Sequence, residues 1–214
     1  MHILSTILFL GACLVFALGG WAAWRRHKAF AWELAARQLG CSQLGASALS
    51  IGDVYGLYHH RNLRLSLATT YEDGPAYRHT CLTLSCVNPG SVALGLRRKS
   101  ALESVVARRQ PGDASTEDDD FDALFFLVSN DSASLPAILG TDLRNRLKRL
   151  EDVELYVVAD RMVLRRAGEV CQAKDLVDMA EIGALFGDRL DSLPPRARTP
   201  AEQTADEAMI EKGV

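Results

Sequence analysis

The chain has 214 residues, 48% of them hydrophobic and 24% charged, with a formal net charge of −3. Such values fit one ordinary globular domain with appendages, and they exclude a disordered chain, a collagen-like fibre and a many-spanning transporter. They also lack the global basic field of a nucleic-acid-binding protein. The averages conceal one asymmetry: from Ile3 to Trp24, 22 residues pass without a charged side chain.

As a helix, that run extends roughly 33 Å, enough for a hydrocarbon core of about 30 Å. Its Ser5 and Thr6 hydroxyls can bond back to helical carbonyls. Trp21 and Trp24 lie at one end, where indoles favour the membrane–water interface, and Arg25-Arg26-His27-Lys28 follows at once. Ahead of the run stand only Met1 and His2. The positive-inside rule then predicts a single-pass anchor with its amino terminus outside and the rest in the cytoplasm. A cleavable signal peptide needs a basic start and a shorter apolar region. The lipoprotein-like string Leu10-Gly11-Ala12-Cys13 is followed by eleven more uncharged residues, so an uncleaved anchor is expected. Cys41, Cys81, Cys86 and Cys171 have neither regular spacing nor a CxxC pair, which suits reduced cytoplasmic thiols rather than a disulfide framework.

Beyond the anchor (1–24), residues 25–40 are expected to form a juxtamembrane helix. Trp32, Ala35, Ala36 and Leu39 share one face, Glu33–Arg37 is an i,i+4 ion pair, and Gly40 is placed as a C-terminal cap. Such a helix either packs on the domain as a stalk or lies along the membrane surface. The domain proper is expected over 41–192. From Val54 to Leu96, period-2 alternation through Leu63, Leu65 and Leu67, then Leu82, Leu84 and Cys86, predicts an antiparallel meander of four strands. Its turns are expected at Arg61-Asn62, Glu72–Pro75 and Asn88–Gly90. A short helix is expected over 100–109, a loop over Gln110–Asp120, and a central strand over Phe121–Val128. Asn130-Asp131-Ser132 offers capping chemistry to a short helix at Leu135–Leu139, with Pro136 in its first turn. Thr141 is placed to cap a second helix carrying Leu143, Leu147 and Leu150. A hairpin over 153–166 turning near Asp160 follows, then a helix striped by Leu176, Met179, Gly183, Phe186 and Leu190, and a flexible tail over 193–214. Strands in runs with helices set apart indicate an α+β fold.

Tyr55-Gly56-Leu57-Tyr58 leading into Arg61-Asn62-Leu63-Arg64-Leu65, together with Phe121-Asp122, the leucine- and arginine-bearing helix at 143–150 and the hairpin at 153–166, resembles a family of uncharacterised bacterial proteins. Its members have one N-terminal membrane helix and a cytoplasmic domain. The resemblance covers roughly 24–192 by element order and implies the anchor and the fold, but no functional residues.

Two groups invite chemistry. His59, His60, His79, Cys81 and Cys86 are good zinc-ligand types, and His79 and Cys81 share a strand face; the spacing, however, is not that of a structural zinc site. Glu117–Asp120, with Asp122, could face a hard cation, yet it lacks the Gly and terminal Glu of an EF-hand loop. No phosphate-loop, dinucleotide, nucleophile-elbow or zincin string occurs. No residue is therefore assigned as catalytic, cofactor-binding or metal-ligating, and no cofactor is expected. Basic clusters at Arg25–Lys28, Arg97–Lys99, Arg108-Arg109 and Arg144–Arg149 are candidates for contact with an anionic leaflet. The expectation is a membrane-anchored, non-catalytic interaction or ligand-binding module. Its partners would be the bilayer and another membrane or cytoplasmic protein, not nucleic acid. A membrane-tethered hydrolase or metal-dependent enzyme is the alternative.

Overall fold

The structure, a computed structural model, describes residues 2–47, 50–71, 76–100 and 114–196, with the side chains of the first helix described for 10, 11 and 13 onward. The expected turn at Glu72–Pro75, the helix over 100–109 and nearly all of the expected tail lie outside the described residues. The end of the domain does not trail free: the Arg196 amide donates to the Pro89 carbonyl (2.9 Å).

Helix α1 (His2–Gln38) runs unbroken for 37 residues. Gly40, at φ +66°, ends it. The Cys41 amide donates to the Ala36 carbonyl (2.8 Å) and the Gly40 amide to that of Arg37 (3.2 Å), a Schellman cap in which the left-handed residue suits glycine. The two halves of α1 meet different surroundings. Leu14, Val15, Phe16 and Leu18 are exposed, whereas Ala31, Trp32, Ala35, Ala36 and Leu39 are buried in the domain core. The i, i+3, i+4, i+7 spacing thus faces protein, as a stalk packed on the domain would. Among the described residues, no helix is long and apolar enough to cross a membrane.

Among the described residues the sheet has eight strands, all antiparallel: β1 (Ser42–Leu44), β2 (Asp53–Tyr58), β3 (Arg61–Thr70), β4 (Tyr77–Ser85), β5 (Leu94–Arg98), β6 (Phe125–Ser129), β7 (Val153–Val158) and β8 (Arg161–Ala167). Their spatial order is β1-β2-β3-β4-β8-β7-β5-β6. One row of register partners crosses seven strands: Val54, Leu65, Leu82, Leu164, Leu155, Leu96 and Leu127. All seven are buried. The neighbouring row, Tyr55, Arg64, Thr83, Val163, Tyr156, Gly95 and Val128, is half-buried or exposed. Alternation therefore sorts the sheet into a core face and an open face. Helix α5 (Ala173–Asp191) lies on the core face. A Cβ on its Gly183 would sit 2.5 Å from Leu84 Cδ1 and 2.8 Å from Leu82 Cδ2, so any larger residue would push these leucine ends aside to keep this approach to β4. The stripe expected on this helix is buried throughout, including Leu176, Met179, Phe186 and Leu190.

Three expectations are corrected. Strands β2, β3 and β4 do form a meander, but the expected fourth strand, β5, does not pair with β4. The hairpin β7–β8 inserts between them, and β5 pairs instead with β7 and β6. Residues Phe121–Val128 are not one central strand. Asp118 accepts a hydrogen bond from the Phe121 amide (3.0 Å) and starts the short helix α2 (Asp119–Leu124), leaving β6 as the last strand at one end of the described sheet. Thr141 does not cap its helix: the N-cap of α4 (Thr141–Lys148) is Gly140, whose carbonyl accepts from Arg144 (3.0 Å), so Thr141 is already helical. Asp131 does cap, accepting from the Ala133 and Ser134 amides ahead of α3 (Leu135–Ile138), with Pro136 in its first turn.

Candidate functional site: the cleft beside the long helix

A strongly charged concavity lies where α1 meets the domain. Past Trp24 the helix presents Arg25, Arg26 and Lys28 in one turn. Arg78 is brought to the same place by β4. Its register partner is Thr69, near the end of β3 farthest from the turn after β2. Glu169 arrives by a sharp bend after β8. Gly168, at φ +78°, donates its amide to the Arg78 carbonyl (2.8 Å). Thr80 then clamps the bend: its hydroxyl donates to the Gly168 carbonyl (3.0 Å) and accepts from the Val170 amide (2.9 Å). Trp32 completes the junction, its indole donating to the Val170 carbonyl at 3.0 Å.

Together these elements enclose a cleft of about 320 Å³. Its polar wall holds Arg25, Arg26, Lys28, Arg78 and Glu169, and its apolar wall includes Trp24, Ile51 and Leu67. Four cations against one carboxylate leave a balance of +3 among these five groups. Lys28 is buried, pairs with Glu169, and carries its ammonium 3.1 Å from the Trp24 ring centroid. Arg78 pairs with the other oxygen of Glu169. Burial alone would raise the Glu169 carboxyl, but the hydrogen bonds from Lys28 and Arg78 outweigh it and hold the group below the usual carboxylate range. Glu169 is thus spent on two cations, and Arg26 projects exposed at the rim. Guanidinium groups beside an apolar wall suit an anionic group joined to an apolar body.

The zinc-type residues are not brought together. His59 and His60 form the β2–β3 turn, both at positive φ, whereas His79 sits opposite Ala68, about 23 Å away along β3. His79 shares a hydrogen bond with Thr70 (2.8 Å), Cys81 lies beside Arg165 on the neighbouring strand, and Cys86 is buried near Asp191. Among the described residues, no group of three or more His, Cys, Asp and Glu side chains is placed to hold a metal ion. In the acidic loop, Asp118 caps α2 and pairs with Arg144 (2.9 Å) and Lys148 (3.1 Å). Asp122 folds back on Ser115 and Thr116.

Among the described residues, several cations of the other basic clusters are engaged within the domain. Arg97 and Lys99 lie over the Phe126 ring, and Arg98 donates to the Lys148 and Leu150 carbonyls. Arg108 and Arg109 lie outside the described residues. A second hollow, of about 330 Å³, sets Arg146 among Asp142, Glu181 and Asp188, so it carries no cationic excess. The sequence reading found Arg25–Lys28 but missed Arg78 and Glu169. The one available signal was that Glu169 is the sole acid between Asp160 and Asp175.

No protein-family model and no curated protein matches the chain. Among solved structures, the fold is similar to the crystal structure of the mycobacterial trehalose monomycolate transport factor A, TtfA. The TM-score is 0.52 at 10% sequence identity, with the match covering 81% of this chain and 99% of that one. The likeness is one of fold: an α+β domain built on a large antiparallel sheet.

Proposed function

We propose that the chain is a membrane-anchored, non-catalytic module that binds a ligand or a protein partner at a bilayer surface. It is a bacterial inner-membrane protein of the single-pass kind that its residues resemble, with the amino terminus outside and the domain in the cytoplasm. The observation that supports this reading is the continuity of α1. One helix carries an uncharged run of 22 residues and then, without a break, the buried Trp32 and Ala35 of the domain core. A domain joined in this way is held at a fixed height and angle to whatever surrounds the first half, unlike one on a flexible tether. The similar solved structure is named a transport factor, which agrees with a binding role.

Carbonate-washed membranes and reporters fused to the carboxyl terminus test the placement. The expected result is a chain retained in the membrane pellet, with activity only for a reporter that works in the cytoplasm. Activity only for a periplasm-dependent reporter would reverse the topology. Co-purification after mild detergent extraction tests the binding role, and a reproducibly partner-free and ligand-free monomer would count against it.

A further inference from the structure

We infer that the cleft between α1 and the β3–β4 end of the sheet is a site for the headgroup of an anionic phospholipid, a deepening that rests on the membrane placement of α1 proposed above. Three observations converge. The first is charge: four cations face one carboxylate, and that carboxylate is already shared between Lys28 and Arg78. A phosphate at the rim would meet the exposed Arg26 guanidinium, and the cations behind it already hold the one carboxylate of the cleft. The second is depth. Lys28 lies four residues beyond Trp24, about 6 Å along the helix, and the headgroup layer on each side of a bilayer is roughly 5–8 Å thick. The third is shape: Trp24, Ile51 and Leu67 give the cleft an apolar wall next to its cations. A lipid presents the same order, with glycerol and acyl carbons next to its phosphate. Arg26 stands exposed at the rim of this cleft.

Full-length protein extracted in mild detergent and reconstituted into nanodiscs of phosphatidylcholine with a minor share of phosphatidylglycerol provides the test. Lipids retained by the chain are counted by native mass spectrometry. Wild type is expected to keep one phosphatidylglycerol per chain in preference to phosphatidylcholine. Each cation near an anionic surface contributes about a fivefold change, so R26Q/R78Q is expected to lower retention about 25-fold. Arg161→Gln removes one charge, as R26Q does, at the far end of β4 and β8, and retention is expected to stay unchanged. R26Q alone, at an exposed position, gives a second reading should R78Q disturb the fold, with about a fivefold loss expected.

Equal retention of the two lipids, or equal losses in R26Q/R78Q and R161Q, would overturn the site. So would inorganic phosphate binding as tightly as the lipid in pure phosphatidylcholine discs, because the cleft would then belong to a soluble anion. Carbonate washing separates the two failures. A chain released into the supernatant overturns the anchor and the site together, whereas a chain kept in the pellet without lipid preference overturns the site alone.

Discussion

Truncating Trp32 should uncouple the long helix from the domain. Its side chain is fully buried in the core, and its indole N–H satisfies the Val170 carbonyl at 3.0 Å. An aromatic side chain of this kind buries on the order of 150–250 Å², which at about 25 cal/mol per Å² is worth roughly 4–6 kcal/mol. Large-to-small substitutions of buried aromatics cost about 3–5 kcal/mol. Losing the donor to Val170 adds about 1–3 kcal/mol wherever water does not replace it. Trp32→Ala is therefore expected to destabilise the domain by about 4–6 kcal/mol, a large part of the roughly 5–15 kcal/mol of a typical domain. Trp32→Phe, which keeps most of the volume but not the donor, should cost about 1.5–3 kcal/mol. Trp21→Ala on the exposed half of the same helix should shift domain stability by less than about 0.5 kcal/mol. Pulse proteolysis across a urea series, on the detergent-solubilised full chain, measures all three. A loss below about 1 kcal/mol for Trp32→Ala would show that α1 does not belong to the core, and the proposed rigid coupling to a membrane anchor would fall with it.

Other expectations follow from particular contacts. Gly183→Ala should cost about 1–3 kcal/mol, because its Cβ would press into Leu82, Leu84 and Met162; an unchanged urea midpoint would mean that α5 does not pack this closely on β4 and β8. The Asp118 carboxyl is held below its ordinary range, first by the Phe121 amide and then, against desolvation, by Lys148 and Arg144. A depressed folded-state pKa contributes stability that is complete above the unfolded value and is lost as pH falls through the folded one. Wild type should therefore lose stability below about pH 4, and Asp118→Asn should lose less over the same window; parallel pH profiles would contradict this. Burial pushes the Cys86 thiol up to about 12 and raises that of Cys81. Maleimide should therefore label both only on unfolding, and rapid labelling of either in the native chain would refute its placement.

Which face of a strand is buried could be read from the sequence, but which strand lies next to it could not. Alternation marked Leu63, Leu65, Leu82 and Leu84 as core because side chains point to opposite faces in turn, and that rule needs no knowledge of neighbours. The hairpin β7–β8 was equally legible, since its two strands and their turn are local. Its insertion between β4 and β5 was not, because either neighbour would bury the same leucines. Phe121 misled because a run of eight residues dense in apolar side chains suits both a strand and the end of a helix. The Asp118 cap three residues ahead was the deciding feature. The candidate cleft was half visible. Arg25–Lys28 announces itself as a cluster, but Glu169 is 141 residues from Lys28 and reaches it only through the bend at Gly168.

The central claim is that the first half of α1 lies in a bilayer and hands over to the domain at Trp24. The chain has three tryptophans, two at the end of the uncharged run and one, Trp32, buried in the domain core, so its own fluorescence reports the depth. Full-length protein is reconstituted with lipids brominated either near the acyl carbonyl or near the chain end. Bromine near the carbonyl should quench the emission of Trp21 and Trp24, about two of every three indoles, and bromine near the chain end should quench it far less. Trp21→Phe and Trp24→Phe should each remove part of the quenchable signal, and Trp32 should remain unquenched. Emission unaffected by either lipid would place both indoles outside the bilayer and contradict the account.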